Sequence, residues 1–283
     1  SSTQLKFPFS LRPLLAGWNA LYLDAGPRQT TETTRSELWQ RGEYLVNGVG
    51  HCGACHTPRN ALGAEQGGAA FLGGAMVKGW EAPSLTARQP GPVPWTEQAF
   101  YDYLRRGHSP QHGAVGGPMA EVVRKLQDVP EADVRAMAHY LASFGSQATP
   151  QQAEQAAAAA IAQGAQSAPT LLGPAQRLFE QACAACHHDG QGPRLLGVNV
   201  PLALNSNLHS DRPDNLLRTI LEGVQEPATQ DIGFMPAFSQ AFDDRQLIEL
   251  AGYMRARFAP QRPAWSDLPE AVARVRASAS AGG

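Results

Sequence analysis

Cysteine is scarce in this chain: four residues in 283, all inside two short segments. None is left over for a stabilising disulfide or a separate catalytic thiol. Charge is scarce as well, with 23 Lys and Arg against 25 Asp and Glu and a formal net charge of −2. No basic face is therefore available to hold a nucleic-acid backbone. The longest unbroken apolar run, Ala156 to Ala162, is far below the roughly 20 residues that a membrane-spanning helix requires. The chain begins with Ser rather than Met and shows no charged stretch followed by an apolar one, so an export signal, if there was one, is expected to have been removed ahead of residue 1. Its length predicts two ordinary domains, each able to bury a core.

The four cysteines lie in "NGVGHCGACHTPRN", residues 47–60, and "QACAACHHDGQG", residues 181–192. Both segments read Cys-x-x-Cys-His. Chance would give one such match on the order of once in a thousand sequences of this composition, so a pair demands a chemical reason. A zinc ribbon would draw four soft ligands from two knuckles, but these pairs are 131 residues apart and each carries its own His. A thioredoxin-like redox pair sits at a helix start after a strand, and neither motif follows an alternating β-branched run. Covalent haem attachment accounts for all three residues: each cysteine adds to a vinyl group and the adjacent His becomes the proximal iron ligand. On a helical turn residues i and i+3 share a face, so both sulfurs reach one edge of the porphyrin. Cys52, Cys55 and His56 would hold one haem c, and Cys183, Cys186 and His187 a second.

A low-spin haem needs a sixth ligand, and the soft thioether of Met favours ferrous iron and raises the potential. Of five Met residues, Met137 and Met254 fall in helix-periodic segments and read as core fillers, while Met76 lies in a loop. Met119 in "GGPMAEVV" and Met235 in "GFMPAF" each occupy a Gly/Pro loop ahead of a closing helix, where a rigid turn points sulfur at a metal. These two are the expected ligands, and His112, in the same loop as Met119, is the foremost substitute. The other histidines, His51, His108, His139, His188 and His209, read as surface or core residues.

An internal repeat supports this pairing. "YLRRG" ends at Gly107 and "TILEG" at Gly223, each twelve residues before its Met. The following helices read "VRAMAHYLASF" and "LIELAGYMRARF", matching Tyr140 with Tyr253 and Phe144 with Phe258. The His-to-Met intervals, 63 and 48 residues, differ because the first half carries extra loop sequence around "GGAAFLGGAMVKGW". Two helical domains of one kind are expected, residues 35–146 and 173–260, joined by an Ala/Gln-rich linker at 147–172 that reads as flexible or as a short helix. Residues 261–283 read as a tail with a disordered end. Residues 1–34 form a connector in which Leu11, Leu14, Leu15, Trp18, Leu21 and Tyr22 share one helical stripe. That stripe suits packing on the chain's own domains, or docking on a partner subunit or a membrane surface.

"FPFSLRPLLAGWNALY", "RGEYLVNGVGHCGACHTPRN", "GWEAPSLT" and "GGPMAEVV" together resemble the cytochrome c subunits of bacterial membrane-associated dehydrogenases. These serve quinoprotein alcohol dehydrogenases, flavin-dependent sugar dehydrogenases and molybdenum aldehyde or nicotinate-type dehydrogenases. The resemblance covers nearly the whole chain. It implies an all-α fold of two tandem class I cytochrome c-like domains, carrying two covalently bound haem c groups. It also implies a large catalytic dehydrogenase subunit as electron donor, with ubiquinone, a terminal oxidase or a soluble cytochrome as acceptor. Members commonly have three haem domains, and the opening helix resembles the connector between their first and second, so an N-terminal haem domain lost by truncation, processing or evolution is expected. Covalent haem loading occurs on the outer side of the bacterial inner membrane, which implies a periplasmic location at that face. In similar cytochromes a Pro carbonyl after the motif accepts from the His ligand; Pro193 fills that place in the second domain, and Pro58 is the nearest candidate in the first. Arg59 and Arg194, just behind the motifs, would screen haem propionates or else be solvated, and Trp80 would pack near the first haem or fill core space. Two closed His/Met irons suit outer-sphere electron transfer; a di-haem peroxidase, which needs an open iron position, and a free two-domain shuttle are the competing readings.

Overall fold

The computed structural model describes residues 7, 10–23, 26, 32, 34–167, 171–187 and 201–280. Its first core starts with α2, Glu37–Tyr44, after the isolated helix α1, Arg12–Tyr22. Ser36 caps α2, its hydroxyl accepting the Trp39 N–H at 3.2 Å and so satisfying one otherwise orphaned donor. The helix runs on as a wider π turn, Leu45–Val49, and then as the short α3, Gly53–His56. Helix α4, Glu97–Arg106, is capped by Thr96 and stopped by Gly107, whose φ of 75° a residue with a side chain seldom adopts. Helices α5, Pro118–Leu126, and α6, Glu131–Ala142, complete this half. Two small hairpins interrupt it: β1, Ala75–Val77, pairs with β2, Trp80–Ala82, and β3, His108–Ser109, pairs with β4, Gly113–Ala114. Lys78 and Gly79 both have positive φ, which gives the β1–β2 turn the twist a two-residue hairpin prefers.

Helices α2 and α6 cross in direct backbone contact. A Cβ on Gly42 would stand 2.1 Å from the Ala136 carbonyl oxygen and 2.6 Å from the Tyr140 Cβ. Trp39 meets Tyr140 edge-on at 4.9 Å and donates its indole N–H to the Ser143 hydroxyl. Met137 is buried beside them, as a core filler should be.

The second core repeats the plan. Helix α8, Pro174–Ala182, packs on α11, Asp244–Phe258, where Phe179 contacts Tyr253 and Phe258 at 5.7 and 5.5 Å. Asp243 and Gln246 form a reciprocal capping box at the start of α11. The short α9, Ser206–His209, and α10, Asp214–Glu222, supply Leu208, Leu216, Leu217 and Ile220. Met254 is buried here, again as a filler.

Two stretches are more ordered than the sequence suggests, and a third forms as expected but stays exposed. Residues 150–167 of the expected linker form α7, an 18-residue helix. Its buried face of Ala153, Ala157, Ala160 and Gly164 recurs at helical spacing and packs with Val93 of the first half and with Ala203 and Leu204 of the second. Small residues permit that close contact, which composition alone conceals. In the expected tail, Leu268–Ser280 is helix α12, and Trp265, Leu268, Val272 and Val275 join the second core. Arg274 pairs with both Asp214 carboxylate oxygens at 2.9 and 3.0 Å, tying α12 to α10. Helix α1 forms as the stripe predicts, but Leu14, Leu21 and Leu23 are 55%, 71% and 57% exposed. A hydrogen bond from the Trp18 indole to the Leu62 carbonyl, at 3.0 Å, ties it to the first half. No helix among the described residues is long and apolar enough to cross a membrane.

The halves meet in a polar and apolar seam. The Glu81 N–H donates to the Asn215 side-chain oxygen at 2.8 Å, and the Asn215 amide donates back to the Glu81 carbonyl at 2.8 Å. The Ser210 hydroxyl donates to the Glu81 carboxylate, whose burial pushes its pKa above the usual range. Beside this, Val115 and Val123 of the first half close on Ala228 and Ile232 of the second.

Gly42→Ala is expected to destabilise the first half by about 1–3 kcal/mol, since its Cβ meets backbone that cannot yield; an unchanged urea midpoint would contradict the crossing. Burial acts to raise the Asp214 carboxyl, but its hydrogen bond from Arg274 and the charges of Arg212 and Arg274 outweigh that and hold it below its ordinary 3.8. The stabilisation is present above that ordinary value and is lost as pH falls through the lower folded value. Asp214→Asn should therefore lower stability at neutral pH and flatten the acid limb of the stability–pH curve, which denaturant titrations at several pH values will read.

Candidate haem attachment sites

Both motifs adopt the same backbone turn. The N–H groups of Cys55 and His56 donate to the Cys52 carbonyl at 3.2 and 3.0 Å, and those of Cys186 and His187 donate to the Cys183 carbonyl at 3.1 and 2.8 Å. One helical turn thus carries the two sulfurs of each motif, as attachment to one porphyrin edge demands. Glycine clears the first turn: a Cβ on Gly50 would lie 2.9 Å from the Leu45 carbonyl oxygen, and one on Gly53 would lie 2.7 Å from a Glu65 carboxylate oxygen and 3.2 Å from the Phe71 ring.

The His56 ring fits an iron ligand. It is 8% exposed, and its Nδ1 stands 2.8 Å from the Pro83 carbonyl oxygen. A carbonyl only accepts, so Nδ1 carries the proton and Nε2 keeps its lone pair for a metal. Burial pushes the ring's pKa below its ordinary value against the opposing pull of the Pro83 carbonyl, which favours the neutral, ligating form. The partner is Pro83 of "GWEAPSLT", not Pro58. The Pro58 carbonyl instead accepts the Gln66 N–H at 2.9 Å. Proximity in sequence misled here because the 73–83 loop folds back over the turn; the Gly74 N–H also donates to the His56 carbonyl at 2.7 Å. The family-specific "GWEAPSLT" stretch was the signal that could have found Pro83.

The first thiol of each motif lacks the activation that a dithiol redox pair shows. Burial pushes Cys52 and Cys183 up to about 11, whereas a dithiol oxidoreductase lowers its attacking thiol. Among the described residues, no cluster of three or more His, Cys, Asp and Glu side chains is gathered as a metal cage would require.

The remaining expected site residues divide. Met119 does not sit in a loop: it occupies the first turn of α5, after Gly117 at φ 54° and Pro118. It packs against the same core that Cys52 borders, and also against the seam. Met235 lies in an extended bridge, its N–H donating to the Val224 carbonyl at 3.2 Å and its carbonyl accepting the Val224 N–H at 2.9 Å. Met76 is 44% exposed on β1. His112 stacks on Trp95 at 3.9 Å, and its ring nitrogens face the Ser109 hydroxyl at 3.0 Å and the Val93 carbonyl at 3.2 Å, leaving it poorly placed for iron. Arg59 donates to the Gly63 carbonyl at 2.6 Å and the Ala54 carbonyl at 3.0 Å, which makes it a brace of the attachment turn. Trp80 lies against Gly116 and Gly117, ahead of Met119, and beside Arg218 of α10. Pro193 and Arg194 lie outside the described residues.

An all-α fold that repeats a Cys-x-x-Cys-His turn, with a His poised by a backbone carbonyl, defines a c-type cytochrome. Residues 172–254 match the family model "Cytochrome C oxidase, cbb3-type, subunit III". The chain is similar to a nicotinate dehydrogenase subunit of Pseudomonas putida, with 48% identity over 98% of this chain and 23% of that protein. It is also similar to the fructose dehydrogenase cytochrome subunit of Gluconobacter japonicus, with 34% identity over 97% of this chain and 60% of that one. A diheme cytochrome c-type protein of Cereibacter sphaeroides is 40% identical over 48% of this chain and 45% of its own. The chain spans less than two thirds of the length of each. It is a homologue of the cytochrome subunits of bacterial dehydrogenases.

Arg59→Ala is expected to cost about 1 kcal/mol through the two lost carbonyl contacts and to leave the haem midpoint potentials nearly unchanged. A large potential shift in a spectroelectrochemical titration would return Arg59 to the propionates.

Proposed function

We propose that the chain is a di-haem cytochrome c that relays electrons from a catalytic dehydrogenase subunit and performs no substrate chemistry of its own. The observation that carries this reading is the attachment turn made twice, at Cys52–His56 and at Cys183–His187, with the same carbonyl accepting the same two N–H groups. Haem c, when bound, supplies an iron that alternates between ferric and ferrous states within a closed ligand set. Cys52 and Cys55, and Cys183 and Cys186, hold the two groups through thioethers. His56 and His187 are the proximal ligands, and Met119 and Met235 complete the two sets. Pro83 fixes the His56 ring and increases its basicity; Pro193 is the corresponding candidate for His187.

The donor is a quinoprotein, flavoprotein or molybdenum-type dehydrogenase, and the identity to the nicotinate dehydrogenase subunit supports a nicotinate-type one. The acceptor is ubiquinone, a terminal oxidase or a soluble cytochrome, and the location is periplasmic, at the outer face of the inner membrane. The exposed apolar stripe of α1 supports peripheral attachment there, to the dehydrogenase or to the membrane surface.

The purified protein should carry two porphyrins per chain that survive denaturation and acid–acetone extraction. Met119→Ala and Met235→Ala should each keep both porphyrins, remove the thioether-to-iron charge-transfer band of one haem and lower one midpoint potential. Unchanged bands and potentials in both variants would refute the ligand assignment. A high-spin ferric haem in the unsubstituted protein would favour a peroxidase.

A further inference from the structure

Trp80 and Arg218 form a column that the function above does not use. The indole fills the space beside the turn leading to Met119: a Cβ on Gly117 would lie 2.5–2.9 Å from three Trp80 ring atoms, and one on Gly116 would lie 3.9 Å away. Gly117, at φ 54°, therefore seats the turn flat on the ring with no side chain between them. Arg218 of α10 holds the indole from the second half, its guanidinium carbon 5.7 Å from the ring centroid, within reach of a cation–π contact.

Arg218 is itself fixed on several sides. It is 6% exposed, donates Nε to the Gly79 carbonyl at 2.8 Å and Nη1 to the Glu222 carboxylate at 2.9 Å, and donates Nη2 to the Ser278 hydroxyl of α12. Gly79 leaves room for it, since a Cβ there would meet Nη2 at 2.4 Å. The Glu81 backbone, one residue beyond Trp80, exchanges two hydrogen bonds with the Asn215 side chain and so fastens the same strand to α10. The seam thus reaches through β2 to the first turn of α5.

We propose that Trp80 is a positioning residue for Met119, and that Arg218 clamps it, so that the second half of the chain holds the sixth ligand of the first haem in place. This rests on Met119 being that ligand. A ring wedged against Gly117 limits the turn's freedom to swing sulfur away, and losing a group that orients a metal's ligand costs about tenfold or more in metal affinity or activity.

The test is imidazole displacement of the thioether in the ferric, fully loaded chain, followed through the charge-transfer band, with each haem's step assigned by Met119→Ala and Met235→Ala. Trp80→Ala should bind imidazole at the first haem about tenfold more tightly than the unsubstituted protein. Trp80→Phe should restore most of the difference. Arg218→Ala, in the other half, should shift the same haem in the same direction by a smaller factor, while the second haem's affinity stays unchanged in all three. If Met119→Ala leaves the first haem's band intact, the ligand reading has failed. If it opens that haem but Trp80→Ala and Arg218→Ala bind imidazole as the unsubstituted protein does, the positioning role is refuted. Should Trp80→Ala fail to load haem, Arg218→Ala decides alone: equal shifts at both haems, or none, overturn the proposal.

Discussion

The hydrogen bond between the His56 ring and the Pro83 carbonyl organises the first site. A Cys-x-x-Cys-His turn can place two sulfurs on one face by itself, but it cannot choose which ring nitrogen presents a lone pair. The carbonyl at 2.8 Å makes that choice, because it can only accept. It also anchors the 73–83 loop over the turn, together with the bond from the Gly74 N–H to the His56 carbonyl. Just ahead of that loop the Leu72 N–H donates to the Thr57 hydroxyl at 3.0 Å, so Thr57 and Leu72, both fully buried, lock the exit from the motif. Attachment turn and covering loop are therefore one unit.

From that unit the architecture extends outward through tight contacts between backbone and small residues. Gly42 lets α2 and α6 touch, Gly117 lets the Met119 turn lie on Trp80, and Gly79 admits Arg218. Each is a place where a single Cβ would collide with something unable to move far. The same device recurs at the seam, where a Cβ on Gly107 would reach within 2.6 Å of Ile232. The electron relay proposed above would gain from such close packing, because iron that changes charge without moving its ligands needs little reorganisation. The two halves are in contact over β2, α7 and the Val115–Ile232 patch, so more than the connecting segment joins them.

The exposed apolar face of α1 contrasts with this economy. Its leucines stay exposed and join neither core, and the anchor to the Leu62 carbonyl holds the helix beside the loop that follows the first attachment turn. Such a placement suits the peripheral attachment proposed above, on the side of the first Cys-x-x-Cys-His turn.

Much of the site was legible in the sequence because its chemistry is local. The spacing of Cys52, Cys55 and His56 determines a shared helical face whatever surrounds it, and the repeat at Cys183, Cys186 and His187 made the tandem plan readable. Helix positions followed from periodicity, and Met137 and Met254 were recognisable as core residues by the same rule. What escaped depends on contacts distant in sequence. Pro83 is 27 residues from the ring it orients, and Arg218 is 139 residues from the Gly79 carbonyl it binds. An Ala/Gln segment looks like a tether until Val93 and Leu204 offer a surface on which its small face can be buried, and residues 268–280 look like a tail until Asp214 and the second core receive them. Sequence alone set the covalent and helical grammar of this protein, because those interactions span one turn. The tertiary structure chose the imidazole's partner, the seat of Met119 and the union of the halves, because each joins groups that only folding brings together.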